Sequence, residues 1–355
     1  MAYTTIDDGS AYFHTQLYTG DGSSSNAITN DANAGDFKPD WLWIKCRSEA
    51  RDHQITDSTR GGNIGLRPNA NIGEFSGAST QFDTDGFTLL DSSNTINGGS
   101  SRTYVAWQWK ANGGTTTTND ASATSVGTID SVYQANTTAG FSIVTYTGTG
   151  SAGTIAHGVG ATPHWVLVKN RSTGDRQWYN QHIGNSSASK GQSLSTTGAE
   201  QTLSAVFGDT RASSTVFTVG DNNSINDSGD NYIAYIFAPI KGYSKFGSYT
   251  GNGNADGPFV YTGLKPAFVL LKSISASESW ELMDNKRLGY NGGTGELRAN
   301  LSNAETTTNQ VDFLSNGFKP RTTAGQWNTN GHTYIYIAFA EHPFVSSKGV
   351  PVTAR

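Results

Sequence analysis

The side chains that could do chemistry in this chain are not gathered by their spacing. Seven histidines stand at His14, His53, His157, His164, His182, His332 and His342. No two have the spacing of a metal site, and His157 and His164 flank a strand-like run without counterparts elsewhere, so surface or turn positions are expected for them. No HExxH, GxSxG, Walker loop or paired-cysteine motif occurs. A glycosidase needs two carboxylates close in space. Asp83 and Asp85 in FDTDGF are the nearest such pair, but Asp85 sits where a hairpin turn favours Asp or Asn. The loop GDNNSINDSGDNY carries Asp221, Asp227 and Asp230, an oxygen-rich set of the kind that binds Ca²⁺. The EF-hand order is missing and the matching loops elsewhere do not keep the acids, so a solvated hairpin is expected. The one cysteine, Cys46, rules out an internal disulfide and reads as a buried inert thiol. These residues predict a non-enzymatic protein with no catalytic residues, no metal and no cofactor.

Recognition chemistry is the other possibility. Carbohydrate sites present aromatic ring faces beside amides and hydroxyls, so loop Trp and Tyr are the natural suspects. Trp41, Trp43, Trp107, Trp165, Trp178 and Trp280 fall on repeated phrases, where core packing explains them better. Tyr179, Tyr261 and Tyr290 lie outside those phrases and are the ligand-binding candidates.

The elements that must position these residues are strands. Charged residues make up 15% of the chain and 42 of 355 residues are Gly. That mixture, with abundant Ser, Thr and Asn, disfavours helices and suits strands joined by tight turns. A net charge of −5 without a Lys/Arg run argues against a nucleic-acid partner. No stretch has the length of a signal peptide's apolar region or of a membrane helix, so synthesis in the cytoplasm and no membrane insertion are expected.

One phrase recurs three times: PDWLWIKCR from Pro39, PHWVLVKNR from Pro163 and PAFVLLKSI from Pro266. Each is prefaced by YTGxG, beginning at Tyr18, Tyr146 and Tyr249. Each is followed by an aromatic or imidazole (His53, Trp178, Trp280) and later by Phe87, Phe217 and Phe318. Each unit ends on an apolar strand marked by Tyr104, Tyr232 or Tyr334. Five ordered landmarks point to an internal triplication. The units are 1–115, 116–241 and 242–347, followed by a C-terminal tail at 348–355. Each exceeds 100 residues and is expected to bury its own core as a tandem domain. The closing strands are apolar at odd and even positions alike, which places them centrally in two-layer sandwiches. The fold class expected is all-β, three tandem β-sandwich (jelly-roll-like) domains. The linker 111–125 reads as extended or flexible and 238–251 as brief and partly apolar, so units two and three are expected to be held together more rigidly than units one and two.

The phrases LYTGDGS, PDWLWIKCRS, DSTRGG, DTDGFTLL and TYVAWQWKANGG, with AGFSIVTYTGTG, HGVGATPHWVLVKNRS and NYIAYIF in the second unit, resemble a repeated β-sandwich domain of virion proteins from tailed bacteriophages, particularly marine ones, often tail-fibre-like. The resemblance covers nearly the whole chain and departs from its usual pattern at His53. It implies a β-sandwich on a virus particle and no reaction. The expectation is a structural protein of the virion surface, most simply a tail fibre or tail-associated protein for assembly and host attachment. The alternatives are a capsid decoration or head-fibre protein, a lectin-like glycan-binding adhesin and, last, a glycan-depolymerase tailspike. The partners expected are other virion proteins, a host surface glycan and further copies of the chain, with a trimer as the starting assumption.

Overall fold

The computed structural model describes Ile6 and residues 8–31, 37–99, 101–174, 176–287, 291 and 294–340. The chain is all-β, built from antiparallel sheets and a few single-turn helices. Three large sheets follow one another along the sequence, and the same strand order recurs in each. An opening strand (Phe13–Thr19, Phe141–Thr147, Ser244–Thr250) pairs with the closing strand (Thr103–Trp109, Asn231–Phe237, Thr333–Ala340). The closing strand pairs on its other side with the strand of the repeated phrase (Trp41–Cys46, Trp165–Asn170, Pro266–Ser273). Next come Gln54–Asp57, Tyr179–His182 and Glu281–Asp284, then two more short strands in each sheet. The middle sheet has two further strands, Thr117–Asn119 and Ser131–Asn136, beyond its opening strand. A small sheet accompanies each large one, entered through Asn26–Ile28, Gly153–Ala156 and Val260–Tyr261.

The unbroken apolarity of the central strands follows from two different cores. Side chains alternate across a strand, so each strand feeds both. Leu42, Ile44 and Cys46 join Ile28, Phe87 and Leu89 of the first small sheet. Val166 and Val168 join Ile155 and Phe217, and Val269 and Leu271 join Val260 and Phe318. The alternate residues, Trp41 and Trp43, Trp165 and Leu167, Phe268 and Leu270, enter one cluster common to all three large sheets. At its centre the last rings of the closing strands meet. Trp109, Phe237 and Phe339 lie 6.3, 5.8 and 5.6 Å apart around the triangle.

Two expectations are corrected here. The units do not complete their cores alone, because the inner face of every large sheet is covered by the other two. Nor is the linker after Lys110 loose. The backbone N–H groups of Ala111 and Gly113 donate to Asp40 Oδ2 at 2.7 and 2.9 Å, and those of Asn112 and Gly114 to Gln134 Oε1 at 3.0 and 2.6 Å. Composition reflects the polarity of this segment but not the two buried side chains that hold it. The expected tail at 348–355 lies outside the described residues. Among the described residues no helix is long and apolar enough to cross a membrane.

Candidate functional site

The repeated phrases have three structural tasks. The first is to hold the YTGxG loop. In register, Tyr18 stacks on Tyr104, Tyr146 on Tyr232 and Tyr249 on Tyr334, with centroids 5.1, 5.0 and 5.0 Å apart. The phenols of Tyr18, Tyr146 and Tyr249 donate to the carbonyls of Ile96, Ile225 and Trp327 at 2.7, 2.6 and 2.6 Å. The next residue in each acceptor segment is a buried asparagine: Asn97, Asn226 or Asn328. Its amide oxygen accepts from the loop N–H groups of Asp21, Thr149 and Asn252 at 3.2, 2.9 and 2.8 Å. Its amide nitrogen donates to the loop carbonyls of Ser23, Ser151 and Asn254 at 3.0, 2.7 and 2.6 Å. The glycine is required because the two segments touch. A Cβ on Gly20, Gly148 or Gly251 would stand 2.3, 2.1 or 2.3 Å from a backbone carbonyl oxygen. Sequence reasoning misses these asparagines, which sit in ING, IND and WNT with nothing local to set them apart.

The second task belongs to the phrase lysine. Lys45, Lys169 and Lys272 are fully buried. Their ammonium groups donate to the carbonyls of Cys46, Arg176 and Ser273 at 2.6, 2.7 and 2.6 Å, and Lys45 and Lys272 also reach Glu49 O and Ala276 O at 3.4 Å across the loop that follows the strand. Burial brings each pKa down to about 8.

The third task is to join the units, and each junction repeats the same backbone bond. The N–H of Glu74 donates to Arg171 O at 2.9 Å, that of Glu200 to Ile274 O at 3.0 Å and that of Glu305 to Arg47 O at 2.8 Å. The last of these joins the third unit back to the first, so the three form a closed ring. Where an arginine is present the glutamate side chain adds an ion pair: Arg171 to Glu74 at 2.8 Å and Arg47 to Glu305 at 2.9 Å. The indoles of Trp178 and Trp280 cross to the carbonyls of Arg67 and Ser193 at 3.0 and 2.9 Å.

His53 performs this role in the first unit, which accounts for its departure from the pattern. Its Nδ1 accepts from Trp43 Nε1 at 2.9 Å, so its proton is on Nε2, which faces the carbonyls of Arg298 and Leu301 at 3.1 and 3.0 Å. Asp57, paired with Arg60, accepts from Tyr235 of the second unit at 2.8 Å. Asp284, paired with Arg287, accepts from Trp107 of the first unit at 2.9 Å. At the remaining junction the closing strand carries Ile337, which has no donor, and the aspartate position holds His182, which bonds Tyr336 O at 3.1 Å.

Among the candidate catalytic groups, the buried histidines are interior bracing, while the acids sit on partly exposed loops. His53, His157 and His182 are buried, not surface residues, and burial lowers their pKa values to about 3, 4 and 3. Asp83 braces its own hairpin, accepting from Gln81 and Thr88 at 2.6 Å each. Asp230 accepts from Asn170 at 2.8 Å, while Asp227 caps Ser228 N at 3.0 Å; the two carboxylates serve different bonds. Cys46 is a buried free thiol. His342 lies outside the described residues.

Of the ligand-binding candidates, Tyr179 is half-buried against the second small core. Tyr290 lies outside the described residues. Tyr261 is 61% exposed on the third small sheet, and Phe259 two residues before it is 49% exposed. Phe259 is not among the sequence candidates, although PFVYTG already shows aromatics on either side of an apolar residue. The exposed aromatic surface is therefore in the third unit.

No curated protein and no solved structure matches the chain. A family model described as a domain of unknown function (DUF7483) matches residues 8–343, a span running through all three large sheets. The chain belongs to that family.

Proposed function

We propose that the chain is a non-enzymatic structural protein of a tailed-phage virion, a tail fibre or tail-associated surface protein acting in assembly and host-surface adhesion. We also propose that it arose by triplication of one β-sandwich unit, with boundaries near residues 115 and 241. The observation that carries this reading is the closed ring. The same backbone bond is made at all three junctions, and His53, His182 and two aspartate–arginine pairs are bonded inside it. Such a body is a rigid, low-charge block with threefold character, suited to seating on a symmetric assembly. One chain then supplies what a trimer of single units would. A density map of intact particles tests the reading. The expected result is this ring, one chain per site, on the particle surface in contact with other virion proteins. Absence of the chain from particles would overturn it.

A further inference from the structure

The three small sheets make differences between units easy to locate. Ile28, Ile155 and Val260 occupy one position, paired with Phe87, Phe217 and Phe318, and all are buried. The residues on either side are Ala27 and Thr29 in the first unit and Thr154 and Ala156 in the second. In the third they are Phe259 and Tyr261. Because Val260 points inward, these two rings share the outer face, about 7 Å apart along the strand. Among the described residues they are the only exposed aromatic side chains.

Their surroundings are specific. Gly317 pairs with Tyr261, and a Cβ there would come within 3.0 Å of the Phe259 ring, so that ring lies against the glycine. Beside it on the same sheet Lys319 bonds Asp256 at 2.6 Å, and Arg321 reaches Asp256 at 3.1 Å and Asp312 at 3.3 Å. Two cations and two carboxylates leave the patch neutral while offering both donors and acceptors.

We propose that Phe259 and Tyr261 form a stacking platform for the pyranose rings of a neutral glycan, with the Lys319, Arg321, Asp256 and Asp312 group bonding its hydroxyls. Two rings bordered by charges are too small for a protein interface, which needs roughly 800 Å² per partner. They suit a ligand with apolar C–H faces and hydroxyl edges. The proposal rests on the adhesion part of the reading above and names the ligand class and the face that holds it.

The test is an array of neutral hexose and N-acetylhexosamine oligosaccharides probed with the intact chain. Binding to at least one is expected, with Kd on the order of 10–1000 μM. The F259A/Y261A variant should weaken it at least tenfold with an unchanged melting temperature, and Y261W should retain it. No binding to any neutral glycan, or binding that survives the double substitution, overturns the proposal. If the wild-type chain binds none and the double variant fails to enter particles, the rings are a protein contact: the glycan proposal falls and the virion reading stands. If the chain binds a glycan through these rings but is absent from particles, the virion reading falls and the glycan proposal stands.

Discussion

His53 and His182 show how one residue reflects the arrangement around it. Both rings are fully buried, accept a hydrogen bond on Nδ1 and bond backbone carbonyls through Nε2. Neither has room for a second proton, and burial holds both near a pKa of about 3. In the unfolded chain each takes up a proton near 6.5. Stability is therefore full above that pH and falls as the pH drops toward 3, by about 1.4 kcal/mol per pH unit for each ring. Urea midpoints at pH 7 and pH 5 measure this; equal midpoints would count against neutral buried rings. The three phrase lysines act in the same direction at alkaline pH. Their folded pKa values of about 8 lie below the ordinary value of 10.5, so stability rises with pH between those limits.

Trp43 with His53 stands where the other units have Leu167 with Trp178 and Leu270 with Trp280. The large and small partners are exchanged at roughly constant volume. We expect W43L/H53W to fold and to lose one histidine's share of the acid slope. H53W alone should destabilise by about 1–3 kcal/mol through crowding and the loss of Trp43's acceptor. Chemical denaturation of the three proteins compares them, and a single variant as stable as the double would refute the exchange.

At the scale of elements, the loop anchors decide where strands begin. Asn226 fixes the second YTGxG loop through two bonds of 2.9 and 2.7 Å, to Thr149 N and Ser151 O, and ties it to Gly220 O at 2.7 Å. Asn226→Ala leaves the buried Gly220 carbonyl without this donor and opens the more exposed Thr149 N–H and Ser151 carbonyl to water, and should cost about 1–3 kcal/mol. Hydrogen exchange should quicken at residues 149–151 well before the central strands; uniform exchange across the sheet would show that the loop is not held locally. The strands themselves are legible in the sequence. The phrase, its preface and its closing run all fall on strands or their turns, because apolar runs between Gly and Asn turns have few other solutions. The anchors are less legible. An asparagine in a polar loop looks the same in sequence whether it is solvated or buried, and only its recurrence at 97, 226 and 328 marks it. The binding candidates divide for a related reason. Tyr179 and Tyr261 are alike as loop-flanking tyrosines, but one leans on the second small core and the other is exposed.

At the scale of the molecule, the repeat conceals its own consequence. Units longer than 100 residues are large enough to fold alone, and length gives no sign that half of each central strand faces the other units. The sign is in the composition of the strands. Trp41, Trp43, Trp107 and Trp109 are more aromatic surface than one small sheet can cover, and across the ring Trp41 finds Phe237 and Tyr235 while Trp107 and Trp109 find Phe268. The ring is then one folding unit rather than three beads. Scanning calorimetry of the intact chain tests this most directly. A single transition is predicted, with calorimetric and van't Hoff enthalpies that agree. It should be shifted as a whole by F339A, a change at the central ring triangle that should cost about 3–5 kcal/mol. Separate transitions for the three units, or an F339A effect confined to one of them, would contradict a single folding unit.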